Sequence, residues 1–248
     1  MRYRMIQRTI FGISIPLLFA IAAIVIIPGP NQEQKPSRKA QARPLDENRF
    51  PIADYGTPEP SDPSERAKRH AKGKKYDKSP WNIYPDAQSS MARTHSIDPS
   101  LPALPIAEST AVVIGPVTNA KAYLSNDKTG VYSVFDVQVD EVIKNSSNPL
   151  LTTASSLEVE RDGGRVRFPN GRILTYVSTN MPQVGQRYVL FLTIPQGQSD
   201  FQILTGYELR GGKVYPLDDL PHSSVYENTD EAIFLTQLRT KAADLNVR

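Results

Sequence analysis

Hydrophobic and polar positions along the chain form three successive patterns: an unbroken apolar run, a stretch poor in large aliphatic side chains, and a region alternating at strand period. The run Ile10–Ile27 holds eighteen consecutive uncharged residues. At about 1.5 Å per helical residue it reaches roughly 27 Å, close to the roughly 30 Å hydrocarbon core of a bilayer, and this predicts a transmembrane helix over 10–27. In the alternating region Phe135, Val137 and Val139 point one way and Asp136, Gln138 and Asp140 the other, so Tyr132–Ile143 reads as a half-buried strand. Ala111–Ile114 is a short apolar run that Gly115-Pro116 is expected to close.

Further strands are expected at Leu157–Arg161, Arg165–Phe168, Ile173–Val177, Phe201–Leu204, Tyr207–Arg210 and Lys213–Pro216. Gly163-Gly164 or Asp162-Gly163 is read as a hairpin loop, the first pairing Glu160 with Arg167 and Asp162 with Arg165, the second Glu160 with Arg165 and Glu158 with Arg167. A second hairpin is expected at Gly211-Gly212. Arg187–Ile194 is apolar on both faces and reads as the central strand. The chain then closes with a helix over 229–245, capped by Asn228 with Glu231 and carrying the stripe Phe234, Leu238, Ala242, Leu245. The fold class expected is mainly β: a small antiparallel OB-like barrel or sandwich with a C-terminal helix, preceded by a transmembrane helix and a disordered Pro-rich linker.

Charge divides the chain in the same place. Residues 1–105 carry 16 Lys/Arg against 10 Asp/Glu, and residues 106–248 carry 13 against 16, so a net charge of +3 conceals two halves of opposite sign. Thirteen of the 21 prolines fall between Pro28 and Pro105, which is therefore expected to be a disordered, basic tether that buries too little apolar surface to order itself. One local exception is Asp62-Pro63-Ser64-Glu65, an N-cap with Pro at the first helical position, starting a short helix that Gly73 would end. The cations Arg66, Lys68, Arg69, Lys72, Lys74, Lys75 and Lys78 lie in and after it, beside Tyr76 and Trp81, and suggest contact with an anionic surface; a solvated charged linker is the plainer reading. Arg2, Arg4 and Arg8 make a basic tail over 1–9 and favour an inside N-terminus with the 106–248 domain outside. Ala20-Ile21-Ala22 offers a cleavage site, but the apolar run continues past it, so an uncleaved signal anchor is expected, with a cleaved, secreted domain as the alternative.

Candidate chemistry is sparse. There is no cysteine, which excludes disulfides and thiolate sites, and the three histidines, His70, His95 and His222, lack metal-ligand spacing. Gly163-Gly164 and Gly211-Gly212 precede strands rather than helices, the wrong context for a phosphate loop. Asp140 and Glu141 are adjacent in a strand and so face opposite ways. Asp218-Asp219 looks like a solvated turn, and a hydrolase working through these loop carboxylates is the rival reading. No catalytic residue, cofactor or metal is expected, and no nucleic-acid partner.

The series Phe135–Lys144, Val184–Leu192, Phe201–Gly206 and Gly212–Tyr215 resembles small β-barrel domains of uncharacterised bacterial envelope proteins, and more loosely the netrin-like, OB-like barrels with a terminal helix. The inhibitors of that type act through an N-terminal cysteine and are bridged by disulfides; this chain has neither, so protease inhibition does not carry over. Together, the apolar run, the tether and the sparse chemistry lead to the expectation of a membrane-tethered, extracytoplasmic, non-catalytic module whose partner is an envelope protein or polymer.

Overall fold

The computed structural model describes residues 51–85, 91–93, 98–177 and 179–246. The expected anchor over 10–27 and the tether up to residue 50 lie outside the described residues, among which no helix is long and apolar enough to cross a membrane. In chain order the elements are β1 (Ile52–Asp54), α1 (Pro63–Gly73), β2 (Met91–Arg93), β3 (Ala111–Leu124), β4 (Val131–Gln138), β5 (Glu141–Asn145), β6 (Ser156–Arg167), β7 (Ile173–Val177), β8 (Arg187–Thr193), β9 (Phe201–Arg210), β10 (Lys213–Pro216) and α2 (Glu231–Asn246).

Five of the strands close a barrel. β3 pairs antiparallel with β4 and β8, β4 with β6, and β8 with β9. A short parallel contact of β6 with β9, Val159 opposite Phe201 and Glu160 opposite Gln202, completes the ring. Its interior is filled from the alternating positions, with Phe135, Val137, Val159, Leu190 and Leu192 all buried. β8 is apolar on both faces because each face has a core: Tyr188, Leu190 and Leu192 enter the barrel, while Val189 and Phe191 lie under α2. Phe234, Leu235, Leu238 and Ala242 make the buried side of that helix, whereas Leu245, expected in the stripe, is 42% exposed. Asp230 rather than Asn228 caps it, with Oδ1 accepting from the Ala232 and Ile233 amides. Asn228 sits at φ +64 in the preceding turn and accepts from the Tyr215 hydroxyl instead.

Several expected boundaries move, each because a buried partner lies further along the chain. β3 runs through Gly115-Pro116 to Leu124, exchanging β5 and β8 for β4 as it goes, and its later residues Val117, Ala122 and Leu124 are buried. The expected strand Tyr132–Ile143 breaks after Gln138, and β5 resumes beside the start of β3. The hairpin expected at Gly163-Gly164 does not form. β6 passes straight through these residues, leaving the barrel to pair with β7 and, in parallel, with β1. Gly163 and Gly164 have φ of +111 and +154, and a Cβ on Gly163 would stand 2.6 Å from the Met181 methyl and 2.8 Å from the Tyr176 carbonyl oxygen. The pair is thus a kink inside one strand. The expected cross-strand charge pairs are absent in consequence: Glu160 lies opposite Val134, and Arg165 opposite Thr175. Gly211-Gly212 does turn a hairpin, between β9 and β10.

Residues 51–85, expected to lie in the disordered tether, are instead folded. Residues 51–85 form an arm against the barrel, in which Ala53, Trp81 and Ile83 are buried with Val166, Leu174 and Tyr176 of β6 and β7. Few apolar residues are needed, because each lands on the surface that the β6 kink exposes. Leu104 and Ile106 likewise pack against the cluster under α2.

Candidate functional site: a carboxylate and tyrosine face under a basic helix

The period-two stretch Glu158-Val159-Glu160-Arg161-Asp162 places three carboxylates on the outer face of β6, while Val159 enters the barrel. Across β4 they stand opposite Asp136, Val134 and Tyr132, and Tyr132 in turn lies opposite Tyr123 of β3. Asp200, just before β9, supplies a fourth carboxylate. The segment 125–130, joining β3 to β4, borders the face.

α1 covers this face. Its start follows the sequence: Asp62 Oδ1 accepts from the Ser64 and Glu65 amides at 2.6 and 3.0 Å, and Pro63 follows the cap. At its end, Gly73 comes so near the 125–130 segment that a Cβ would stand 2.5 Å from Asn126 Oδ1, and Asn126 donates its amide to the His70 carbonyl. This close approach turns Lys72 and, in the 3-10 turn Lys74–Tyr76 that follows α1, Lys75 and Tyr76 toward the carboxylates. Glu160, fully buried, receives Lys75 Nζ at 3.2 Å, Lys72 Nζ at 3.3 Å and the Tyr76 hydroxyl at 3.1 Å. Lys72 also pairs with Glu158, and Lys75 with Asp200. The Tyr76 and Tyr132 rings stack at 4.3 Å, and the Arg69 guanidinium lies 5.2 Å over Tyr123.

The seven cations expected to form one anionic-surface patch are therefore divided. Lys72 and Lys75 are held in ion pairs on the barrel, and Arg69 is on an aromatic ring. Arg66 bonds back to the Pro60 and Ser61 carbonyls, and the Lys78 amide donates to Asp127. Lys68 and Lys74 remain exposed on the outer side of the arm. Sequence reading missed the carboxylate face by assigning Glu158, Glu160 and Asp162 to hairpin register; their alternation and the Lys72, Lys75, Tyr76 spacing were the signals available.

Electrostatics of the face follow from enclosure. Burial, then the Glu160 charge, pushes the Tyr76 hydroxyl far above its ordinary value, and burial does the same to Tyr132. At the border, burial works to raise Asp127, but donors from Thr129, Lys78 and Ser125 outweigh it and hold the carboxyl well below the usual range. Burial pushes the Asp162 carboxyl up to about 6. Its facing groups are Tyr132 across β4, Tyr76 on the arm and Glu160 along β6, and among the described residues no cation is paired with it. A carboxyl raised on folding favours the fold below its unfolded value, and that advantage disappears as pH rises through about 6. Asp162→Asn is thus expected to stabilise the protein by about 2 kcal/mol at pH 8 and to have almost no effect at pH 4. Urea unfolding at the two pH values reads this; an equal effect at both would show that the carboxyl is not enclosed.

A second polar cluster lies at the end of the barrel interior. Asp218, expected in a solvated turn, is only 1% exposed. Its Oδ2 accepts from Arg161 Nη2 at 2.6 Å and Thr205 Oγ1 at 2.9 Å, and its Oδ1 from the Asn180 amide at 3.3 Å. Arg161 Nε donates to Thr179. Asp219 takes no part. His222 is exposed, and Asp140 pairs with Arg187 rather than with an acid partner. Among the described residues no three His, Asp or Glu side chains are grouped to hold a metal. Compared with family models, with curated proteins and with solved structures, the chain matches none.

Proposed function

We propose that this chain is a non-catalytic binding module, held on the outer side of a membrane by the segment 10–27, with the β4–β6 side of its barrel as the binding face. The observation that carries the reading is the convergence of Glu158, Glu160, Asp162, Asp200, Tyr123 and Tyr132 on that one side. Numbered within the barrel alone, the strands follow the order 1-2-3-5-4, which resembles the OB-type Greek key. Barrels of that kind bind chain-like ligands across strands 2 and 3 and between the loops joining strands 1 to 2 and 4 to 5. Here these are β4, β6, residues 125–130 and residues 194–200. A face of this charge disfavours nucleic acid and other polyanions and suits a cationic protein segment. The anchored placement is supported by the eighteen uncharged residues and the preceding arginines.

The rival hydrolase reading loses its main support, because both oxygens of the Asp218 carboxylate are engaged by Arg161, Thr205 and Asn180. Fractionation of a bacterial host expressing the full chain tests the proposal. The protein is expected to stay in membranes through an alkaline carbonate wash, and protease added outside is expected to digest the domain. A domain shielded from outside protease would reverse the orientation, and a soluble product starting near Ala23 would replace the anchored form by the secreted one.

A further inference from the structure

We infer that α1 is a displaceable cover, and that the ligand of the face beneath it is a lysine-bearing helix of a partner protein, presenting two lysines three residues apart as Lys72 and Lys75 do. The inference rests on the binding-face reading above and names its ligand. The present occupant displays the chemistry: two ammonium groups seated among Glu158, Glu160 and Asp200, with the next residue, Tyr76, stacked on Tyr132 and bonded to Glu160.

Two features mark α1 as an exchangeable occupant. Within Pro63–Gly73 only Gly73 is buried, so the aromatic contact given up when the cover lifts is the stack of Tyr76, in the turn that follows, on Tyr132. The cover's ion pairs centre on Glu160, whose side chain is 1% exposed, so lifting alone would strand that charge, and the cover is exchanged for an occupant that brings its own cations rather than opening unassisted. The arm stays fastened meanwhile, through Ala53 on one flank and Trp81 and Ile83 on the other. The fit is also incomplete: four carboxylates meet two lysines, and among the described residues Asp162 has no cation. A partner helix with a third cation opposite Asp162 gains an ion pair that α1 lacks, which is how an intermolecular ligand overcomes one already tethered at high effective concentration.

The experiment uses the full chain in detergent micelles and, as probe, a fluorescent synthetic peptide of residues 61–79. Lys72→Glu with Lys75→Glu repels the cover from its own barrel while leaving the face intact. This variant is expected to bind the peptide at least tenfold more tightly than the unaltered chain does, with binding weakened by added salt. A peptide carrying Tyr76→Arg, which brings a cation toward Asp162, is expected to bind more tightly again. No binding to a variant whose circular dichroism shows an intact barrel, or equal binding of a peptide with both lysines reversed to glutamate, overturns the inference. Should the double variant fail to fold, Lys72→Ala is expected to give the same order of affinities at smaller spacing, and its failure to do so is equally decisive. Since the readout is the peptide and not the location of the protein, failure here leaves the anchored module standing, and mislocalisation leaves the ligand assignment standing.

Discussion

Asp218→Ala is expected to destabilise the protein by about 3–5 kcal/mol, enough to unfold many domains of this size. The side chains of Arg161 and Asp218 are 3% and 0% exposed, so removal of the carboxylate leaves a guanidinium charge at the end of the barrel interior without its counter-ion. Arg161 Nη1 already has no hydrogen-bond partner among the described residues, so the group has little local compensation. Thr205 and Asn180 lose their acceptor in the same step. The effect is that of a stranded charge rather than of a lost contact. Arg161→Met combined with Asp218→Asn is accordingly expected to cost less than Asp218→Ala alone, because the charge leaves with its partner and the Asn oxygen still accepts from Thr205. Urea midpoints for the single and double variants read the difference. A single variant losing less than about 1 kcal/mol would mean the carboxylate is not sealed in, and would restore the hydrolase reading, since a working carboxylate is commonly held at some cost to stability.

Trp81→Ala is the second large effect, about 3–5 kcal/mol. Trp81 is 8% exposed, its ring lies 6.1 Å from that of Tyr176, and it joins Ala53 and Ile83 in fastening the arm to the side sheet of β6 and β7. It is also the one tryptophan in the chain, so its emission reports on the arm and on nothing else. In the unaltered protein that emission is expected to be blue-shifted and to change at the same urea concentration as the far-ultraviolet dichroism of the barrel, since arm and barrel share a core. Emission typical of exposed indole in the absence of urea would show that residues 51–85 belong to the tether after all.

These two residues mark opposite ends of what could be read from the chain. The barrel strands were legible wherever one face meets water: Phe135, Val137 and Val139 announce a half-buried strand, and Asp62-Pro63 with Glu65 announces a helix start, because both signals are local. Trp81 was passed over because two or three apolar residues among prolines are too few to predict burial, and what buries them is a surface contributed by residues some ninety positions later. Asp218 looked like a turn residue beside Pro216 because the guanidinium that encloses it comes from position 161. Gly163-Gly164 carried the residues of a hairpin turn, yet both the turn and the kink need positive φ, and the local sequence does not distinguish them.

The candidate site was half legible. The basic side was visible as a row of lysines, but their partners were not, since the ion pair of Lys72 in α1 with Glu158 in β6 joins residues 86 apart. Lysines that composition assigns to a solvated patch are divided by geometry into an inner pair on Glu160 and an outer set in water.

By itself the sequence determined the period-two faces of the barrel, the two-sided burial of β8, the start of α1, the hairpin at Gly211-Gly212 and the apolar side of α2, all consequences of side-chain spacing within a dozen residues. Only the tertiary structure decided that β6 serves two sheets, that the arm belongs to the domain, that Asp218 is enclosed, and that a basic helix lies across a carboxylate face. The physical reason is common to all four: burial and charge pairing are properties of what arrives from elsewhere in the chain, and spacing along the chain carries no record of it.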